Sequence, residues 1–256
     1  MTNLRASLMN THERSDTTFS VASYEADLAG KLSLFALFNR FQDLAGIHAE
    51  FLQVGYDLLR RSNLAWILSR IKVQIHSLPD WRDTVQLATW PKGIDRLFAL
   101  RDFSLTSEKG EILVLATSAW LLVDIEKNRP QRIENLPIDL RYPGAPQAIT
   151  ERPDKIQMPE GAVVVFERPV WLSDIDTNRH VNNAQYAKWI GDCFSESRFR
   201  NRRMTSIQIN YLEETLLGDT IGLLRSPLND EVSEYFVAGV SRTKGSTAFH
   251  ARVTWE

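Results

Sequence analysis

"IKVQIHSLPDWRDTVQL", residues 71–87, returns in altered form as "TSIQINYLEETLLGDTIGL", residues 205–223. Gln74 and Gln208 hold matching places, as do Asp83-Thr84-Val85 and Asp219-Thr220-Ile221 after a two-residue insertion. Further on, "KGEILVLATSAWLLVD" (109–124) is matched by "KGSTAFHARVTWE" (244–256). The chain carries one pattern twice. Within it Ile71, Val73 and Ile75 point one way and Lys72, Gln74 and His76 the other, the two-residue period of a half-buried strand. Upstream of each echo lies a helical stripe. Leu34, Leu37, Phe38, Phe41, Leu44, Ala45 and Leu52 form the first; Tyr186, Trp189, Ile190, Cys193 and Phe194 form the second.

Each half therefore reads as a strand, a long helix, then three or four long strands. Strands running on after one helix predict an α+β domain with a curled antiparallel sheet, not βαβ units. Between the halves, residues 134–161 carry five prolines and little periodicity, which predicts a linker crossing the surface. The expected organisation is a flexible leader (1–18), one domain over 19–133, the linker, and a second domain over 162–256. Two similar units joined in this way are expected to pack as a pseudo-dimer; chance similarity of two β-rich halves is the bland alternative.

Composition narrows the function. Hydrophobic residues make up 43% of the 256, enough for a core. With 30 basic and 32 acidic side chains the net charge is −2, and no field points to nucleic acid or an anionic membrane. The single cysteine, Cys193, excludes an internal disulfide and fits a reducing cytosol, so a cytoplasmic location is expected. The longest apolar run, "ILVLATSAWLLV" (112–123), falls short of the ~20 residues that span a bilayer, and no membrane insertion is expected. The N-terminus lacks an apolar signal core and reads as a frayed leader, a trimmed targeting piece being the alternative.

The usual catalytic motifs are missing: no G-x-S-x-G, no G-x-x-x-x-G-K-[ST], no H-E-x-x-H. The five histidines show no ligand spacing, so neither a metal nor a cofactor is expected. What remains is "DIDTNRHVNNAQYAKWI" (174–190), where Asp176, Asn178 and His180 alternate before a helix that starts near Asn182. A carboxylate, an amide, an imidazole and a helix N-terminus are the ingredients for attack by water on an activated acyl group. The bland reading is a helix cap with acidic residues at its positive end. The equivalent stretch of the first half, "SYEADLAGKLSLF" (23–35), starts a helix with neither His nor Asn, so capping alone does not require them. A second acid, Glu214, falls near the end of the strand that follows, although Glu is most often merely solvated.

These residues resemble a known family. "WLSDIDTNRHVNNAQYAKWI" with "INYLEET", and "SYEADLAGKLSLFALFNRFQDLAG" in the first half, are similar to the acyl-[acyl carrier protein] thioesterases of fatty acid synthesis. The resemblance covers nearly all of the chain after residue 18, and its D-x-N-x-H-V-N-N-x-x-Y run is highly specific. It implies two tandem hot-dog domains, each a helix wrapped by an antiparallel sheet. It also implies hydrolysis of fatty acyl thioesters on acyl carrier protein, with Asp176, Asn178, His180 and Glu214 at the catalytic positions. Either Asp176 or Glu214 would act as base or nucleophile. Many plant members carry a Cys after that Glu; here it is Thr215, which argues against a Cys mechanism, and Cys193 reads as core. The first-half helix keeps apolar side chains but lacks the polar set, so Leu34, Leu37, Phe38 and Phe41 are the expected wall of the acyl chain, plain core being the more frequent fate of such a stripe. Arg198, Arg200, Arg202 and Arg203 would dock the acidic carrier, the alternative being a solvated basic helix end. A hot-dog acyl-CoA hydrolase and a non-catalytic acyl-binding module are the rival readings, and the oligomeric state stays open, a homodimer included.

Overall fold

The computed structural model describes residues 8–11, 13–136, 140, 144–229 and 232–256. The chain divides into two compact units at Pro153/Asp154. In unit 1, β1 (Leu8–Asn10) and β2 (Ser15–Ser20) precede helices α1 (Leu34–Phe51) and α2 (Tyr56–Arg61). Long strands β3 (Leu64–Ile75), β4 (Thr84–Asp95), β5 (Phe98–Ser107) and β6 (Ile112–Asp124) follow, then a two-residue β7 (Arg129–Pro130) beside β6. All pairings within the unit are antiparallel, in the order β1-β2-β4-β5-β6-β3.

Unit 2 has β8 (Val163–Pro169), α3 (Asn183–Gly191), α4 (Glu196–Asn201), β9 (Met204–Tyr211), β10 (Thr220–Ser226), β11 (Glu234–Ser241) and β12 (Thr247–Trp255). Its antiparallel order is β8-β10-β11-β12-β9. That is the order β2-β4-β5-β6-β3 of unit 1, strand for strand, so the repeat read from the echoes is a repeat of topology.

In unit 1 the Ser33 hydroxyl caps α1 by accepting from Ala36 N at 3.2 Å. The helix buries Leu37, Phe38, Phe41, Leu44 and Ala45, and Phe41 stacks on Phe103 of β5 with ring centroids 4.7 Å apart. Leu34, at the helix start, is only half-buried. In unit 2 Tyr186 packs edge-on against Tyr211 of β9 and Phe249 of β12. Each apolar side chain so buried contributes roughly 1.5–3 kcal/mol.

Three expectations change. The second helix is not long: it has nine residues and ends at Gly191. Gly191 and Asp192 are weak helix formers, and Ser195 starts a new helix by accepting from Arg198 N, so Cys193 and Phe194 are buried in the turn between the two helices. The leader is not free throughout. Leu8–Asn10 pairs with β2, and β2 pairs along β4 although "SDTTFS" has no apolar alternation. Backbone pairing to a long neighbour fixes this strand; residues 1–7 and 12 of the expected leader lie outside the described residues.

The proline-rich linker is not merely a surface crossing. In unit 1 Trp90 Nε1 donates to Pro146 O at 2.7 Å and Ala148 N donates to Asp102 Oδ2 at 2.8 Å. Lys92 Nζ donates to Ile149 O and stands 3.6 Å from Asp102 Oδ1, which also accepts from Thr117 Oγ1 at 2.6 Å. The Asp102 and Lys92 side chains are 0% and 6% exposed. In unit 2 the Gln208 and Asn210 amides both donate to Asp154 O. Polar side chains on the sheet thus satisfy a strap of irregular backbone that would otherwise bury orphaned carbonyls.

Candidate active site

The predicted catalytic run forms a tight turn closed by an isolated bridge between Ile175 and Val181. Asp176 N donates to His180 O at 2.9 Å and Arg179 N to Asp176 O at 3.0 Å. Asn178 N donates to the Asp176 carboxylate at 2.8 Å. Arg179 sits at φ 68°, a left-handed conformation that glycine adopts without steric cost. Two further bonds seat the turn: Val181 N to Thr215 O at 2.9 Å, and Asn182 N to Asp174 O at 3.0 Å.

Unit 1 contains the same turn. Asp27 N donates to Lys31 O at 2.8 Å and Gly30 N to Asp27 O at 3.0 Å, while Ala29 N donates to the Asp27 carboxylate at 2.8 Å. Leu32 N bonds Pro79 O and Ser33 N bonds Glu25 O, and the left-handed residue is Gly30. Asp176 therefore has a counterpart, Asp27, in a copy without the polar set, and its carboxylate is first of all a turn former. The second copy adds Asn178 where the first has Ala29, His180 where it has Lys31, and Glu214 where it has Leu78. Sequence reasoning missed Asp27, although the paired acids of "EAD" and "DID" mark it.

A buried brace lies under each turn. The Asp174 carboxylate accepts from Arg168 at 2.7 Å and from Trp171 N at 2.9 Å, and the Arg168 guanidinium lies 4.6 Å over Trp189. In unit 1 Glu25 pairs with Arg40 at 2.8 Å, and Arg40 lies over Phe19.

His180 Nδ1 stands 3.8 Å from Asp176 Oδ1, close enough for an ion pair once the ring is protonated but too long for a hydrogen bond. Asn178, at the tip, is exposed. Glu214 belongs to this group through its neighbour: Thr215 O takes the Val181 N–H, which sets Glu214 beside His180's strand of the turn. Its carboxylate is exposed and, among the described residues, engaged by no hydrogen bond or ion pair. The helix end is less available as a donor than expected. Ala184 N donates to the Asn182 side chain and Gln185 N to Asn182 O. Tyr186, against Thr215, stays a neutral phenol: burial, with the Glu214 and Asp219 charges adding, pushes it up to about 12.

The four arginines expected to dock the carrier divide between core and surface. Arg198 is 6% exposed, donates to Val232 O at 2.7 Å and stacks over Tyr235 and Trp255, so it supports the core rather than any surface patch. Of the other arginines, Arg200 pairs with Glu196 and Arg203 with Glu256, while Arg202 is exposed and forms no ion pair among the described residues. Cys193 is buried, its Sγ donating to Trp189 O at 3.4 Å. Burial, then the Asp192 charge, push its thiol up to about 12, the wrong direction for a thiolate nucleophile. Cys193→Ala is expected to keep turnover within about three-fold and to lose about 1 kcal/mol of stability; steady-state thiol release and chemical denaturation check both.

Residues 12–139 match the model of the acyl-ACP (acyl carrier protein) thioesterase N-terminal domain, and residues 161–256 match that of the C-terminal domain. The oleoyl-acyl carrier protein thioesterase 2, chloroplastic, of Arabidopsis thaliana is 24% identical over 254 residues, covering 91% of this chain and 68% of that protein. The palmitoyl-acyl carrier protein thioesterase, chloroplastic, of Gossypium hirsutum is 28% identical over 213 residues, with coverage of 77% and 51%. The chain thus spans between about half and two thirds of the length of these curated relatives. Among solved structures, an acyl-ACP thioesterase from Bacteroides thetaiotaomicron superposes with a TM-score of 0.85 at 23% identity, over 95% of this chain and 98% of that one, which supports the tandem hot-dog fold.

Proposed function

We propose, from the premise that the chain belongs to the acyl-ACP thioesterase family, that it hydrolyses fatty acyl thioesters carried on acyl carrier protein and releases free fatty acid. One observation carries this for the chain's own residues. A turn built identically in both copies is fitted in the second alone with Asn178, His180 and Glu214. Water attacks the thioester carbon as Glu214 takes its proton. The carbonyl electron pair moves to oxygen, then returns as the C–S bond breaks, and the carrier thiolate leaves to be protonated. Glu214 suits the base role because its carboxylate is unengaged, whereas that of Asp176 is held by Asn178 N. The Asn178 amide, exposed at the tip, is the donor for the developing oxyanion. Glu214, which holds the proton taken from water, gives it to the leaving sulfur, and His180, near Asp176, orients the water.

The test measures thiol release from acyl carrier protein and CoA thioesters of one fatty acid side by side. A higher kcat/KM on the carrier substrate is expected. No turnover of either overturns the reading, and a preference for CoA moves it to an acyl-CoA hydrolase. The exposed arginines enter the same assay: Arg200, Arg202 and Arg203 changed together to Ala are expected to raise KM for the carrier substrate, to flatten its dependence on salt, since the Debye length is ~8 Å at physiological ionic strength, and to leave a small soluble thioester unaffected.

The α1 stripe is proposed as the wall of the acyl site. Phe38→Ala is expected to favour a longer acyl chain while costing about 3–5 kcal/mol of stability, and Leu34→Ala, at a half-buried place, to shift the profile at smaller cost. Product chain lengths from a mixed acyl pool measure the shift; identical profiles for both variants remove α1 from the tunnel.

A further inference from the structure

The turn between β11 and β12 sends Lys244 to the segment that carries Glu214. Its Nζ donates to Glu214 O at 2.9 Å and stands 3.7 Å from Asp219 Oδ2 and 3.9 Å from Glu213 Oε1. Both ends of this contact are anchored. Lys244 N donates to Ser241 Oγ at 3.0 Å, and Gly245 N to Ser241 O at 2.8 Å. Asp219, nearly fully buried, accepts from Leu216 N at 3.0 Å, and its carbonyl accepts from Val170 N at 2.8 Å. One ammonium therefore closes a ring around the residue proposed as base.

Unit 1 is the control. Asp83, in the place of Asp219, likewise accepts from Asp80 N at 2.9 Å, and Lys109 heads the matching "KG" turn. Yet Asp83 and Lys109 are exposed, and among the described residues Lys109 makes no hydrogen bond or ion pair. The clamp exists only in the copy that carries the polar set. Asp219 is nearly fully buried, so its pairing with Lys244 also contributes stability, and positioning must show in a readout beyond stability.

We infer that Lys244 is a positioning residue for the reaction: by gripping the Glu214 carbonyl and facing Glu213 and Asp219, it fixes where the Glu214 carboxylate points. This rests on the reading of Glu214 as base. A misplacement of about 1 Å in such a group costs up to about 10²-fold in rate, with little effect on substrate binding.

The experiment compares wild type with Lys244→Met, Lys244→Arg, Glu214→Gln, the double variant Lys244→Met/Glu214→Gln, and Lys109→Met on one acyl thioester. Lys244→Met is expected to lower kcat about 10–100-fold with KM within about three-fold. Lys244→Arg should recover most of the rate, and Lys109→Met should behave as wild type. The double variant should be no slower than Glu214→Gln alone, because Lys244 acts through that side chain. The inference is overturned if Lys244→Met keeps wild-type kcat, or if it loses kcat only in step with its folded fraction, read by thermal unfolding. It is also overturned if the two losses add in the double variant. If Glu214→Gln itself keeps full activity, the base assignment fails instead, which is a different outcome on the same plate.

Discussion

Glu214→Gln is expected to lower kcat by about 10²–10⁴-fold in a protein that unfolds at the wild-type temperature, because a positioned base supplies a factor of that order. The Glu214 side chain is exposed and engages no described partner, so its replacement should change stability by no more than about 0.5 kcal/mol. His180→Ala is expected to behave similarly. Asp176 should not. Its carboxylate holds the turn through Asn178 N, so Asp176→Ala is expected to lose both rate and about 1 kcal/mol of stability. Asp27→Ala removes the same bond from the copy without the polar set and should lose the stability alone. Steady-state thiol release and thermal unfolding on these four variants separate chemistry from architecture. A fully active, folded Glu214→Gln enzyme would remove this residue from the mechanism.

A large effect on stability is expected at the strap. Lys92→Met leaves Asp102 a fully buried carboxylate without its cation, a change that costs about 3–5 kcal/mol at neutral pH. Burial already raises the Asp102 carboxyl above its ordinary value, against the opposing pull of the Thr117 and Ala148 hydrogen bonds and the Lys92 charge. A carboxyl raised on folding contributes its stabilising effect below the unfolded value, near 3.9, and loses it as pH rises through the folded value. Removing Lys92 raises the folded value further. The deficit of Lys92→Met should therefore be small in acid and grow towards neutral pH, and Lys92→Met/Asp102→Asn should recover part of it. Urea unfolding at several pH values reads this directly; a deficit independent of pH would mean that Asp102 is not the group left uncompensated.

How far the sequence could be read follows from what each residue answers to. Gln74 and Gln208, or Asp83 and Asp219, occupy places set by local strand and turn geometry, so the duplication and the succession of strands were visible in the letters. The run around His180 was equally visible, since short polar groups crowded before an apolar helix have few uses. Burial of polar groups was not visible. Arg198 reads as one of four surface arginines until Tyr235 and Trp255 are seen beneath it. Asp102 and Lys92 read as exposed charges on strands until a segment with no periodicity is laid over them. The edge strand β2 answers to backbone pairing, which leaves no apolar signature in "SDTTFS". Lys244 was missed for a related reason: its acceptors are separated from it by 25 to 31 positions and include a main-chain oxygen.

The twice-built turn also bears on how such a chain changes over generations. Its backbone is held by an Asp carboxylate, main-chain bonds and one left-handed residue, and none of these depends on what stands at the tip or at the last position of the turn. In a chain that carries the turn twice, the tip and its facing strand can vary in one copy without selection against misfolding. Ala29, Lys31 and Leu78 stand at these places in the copy without the polar set. Changes at a few such positions can alter the chemistry while the fold is inherited unchanged.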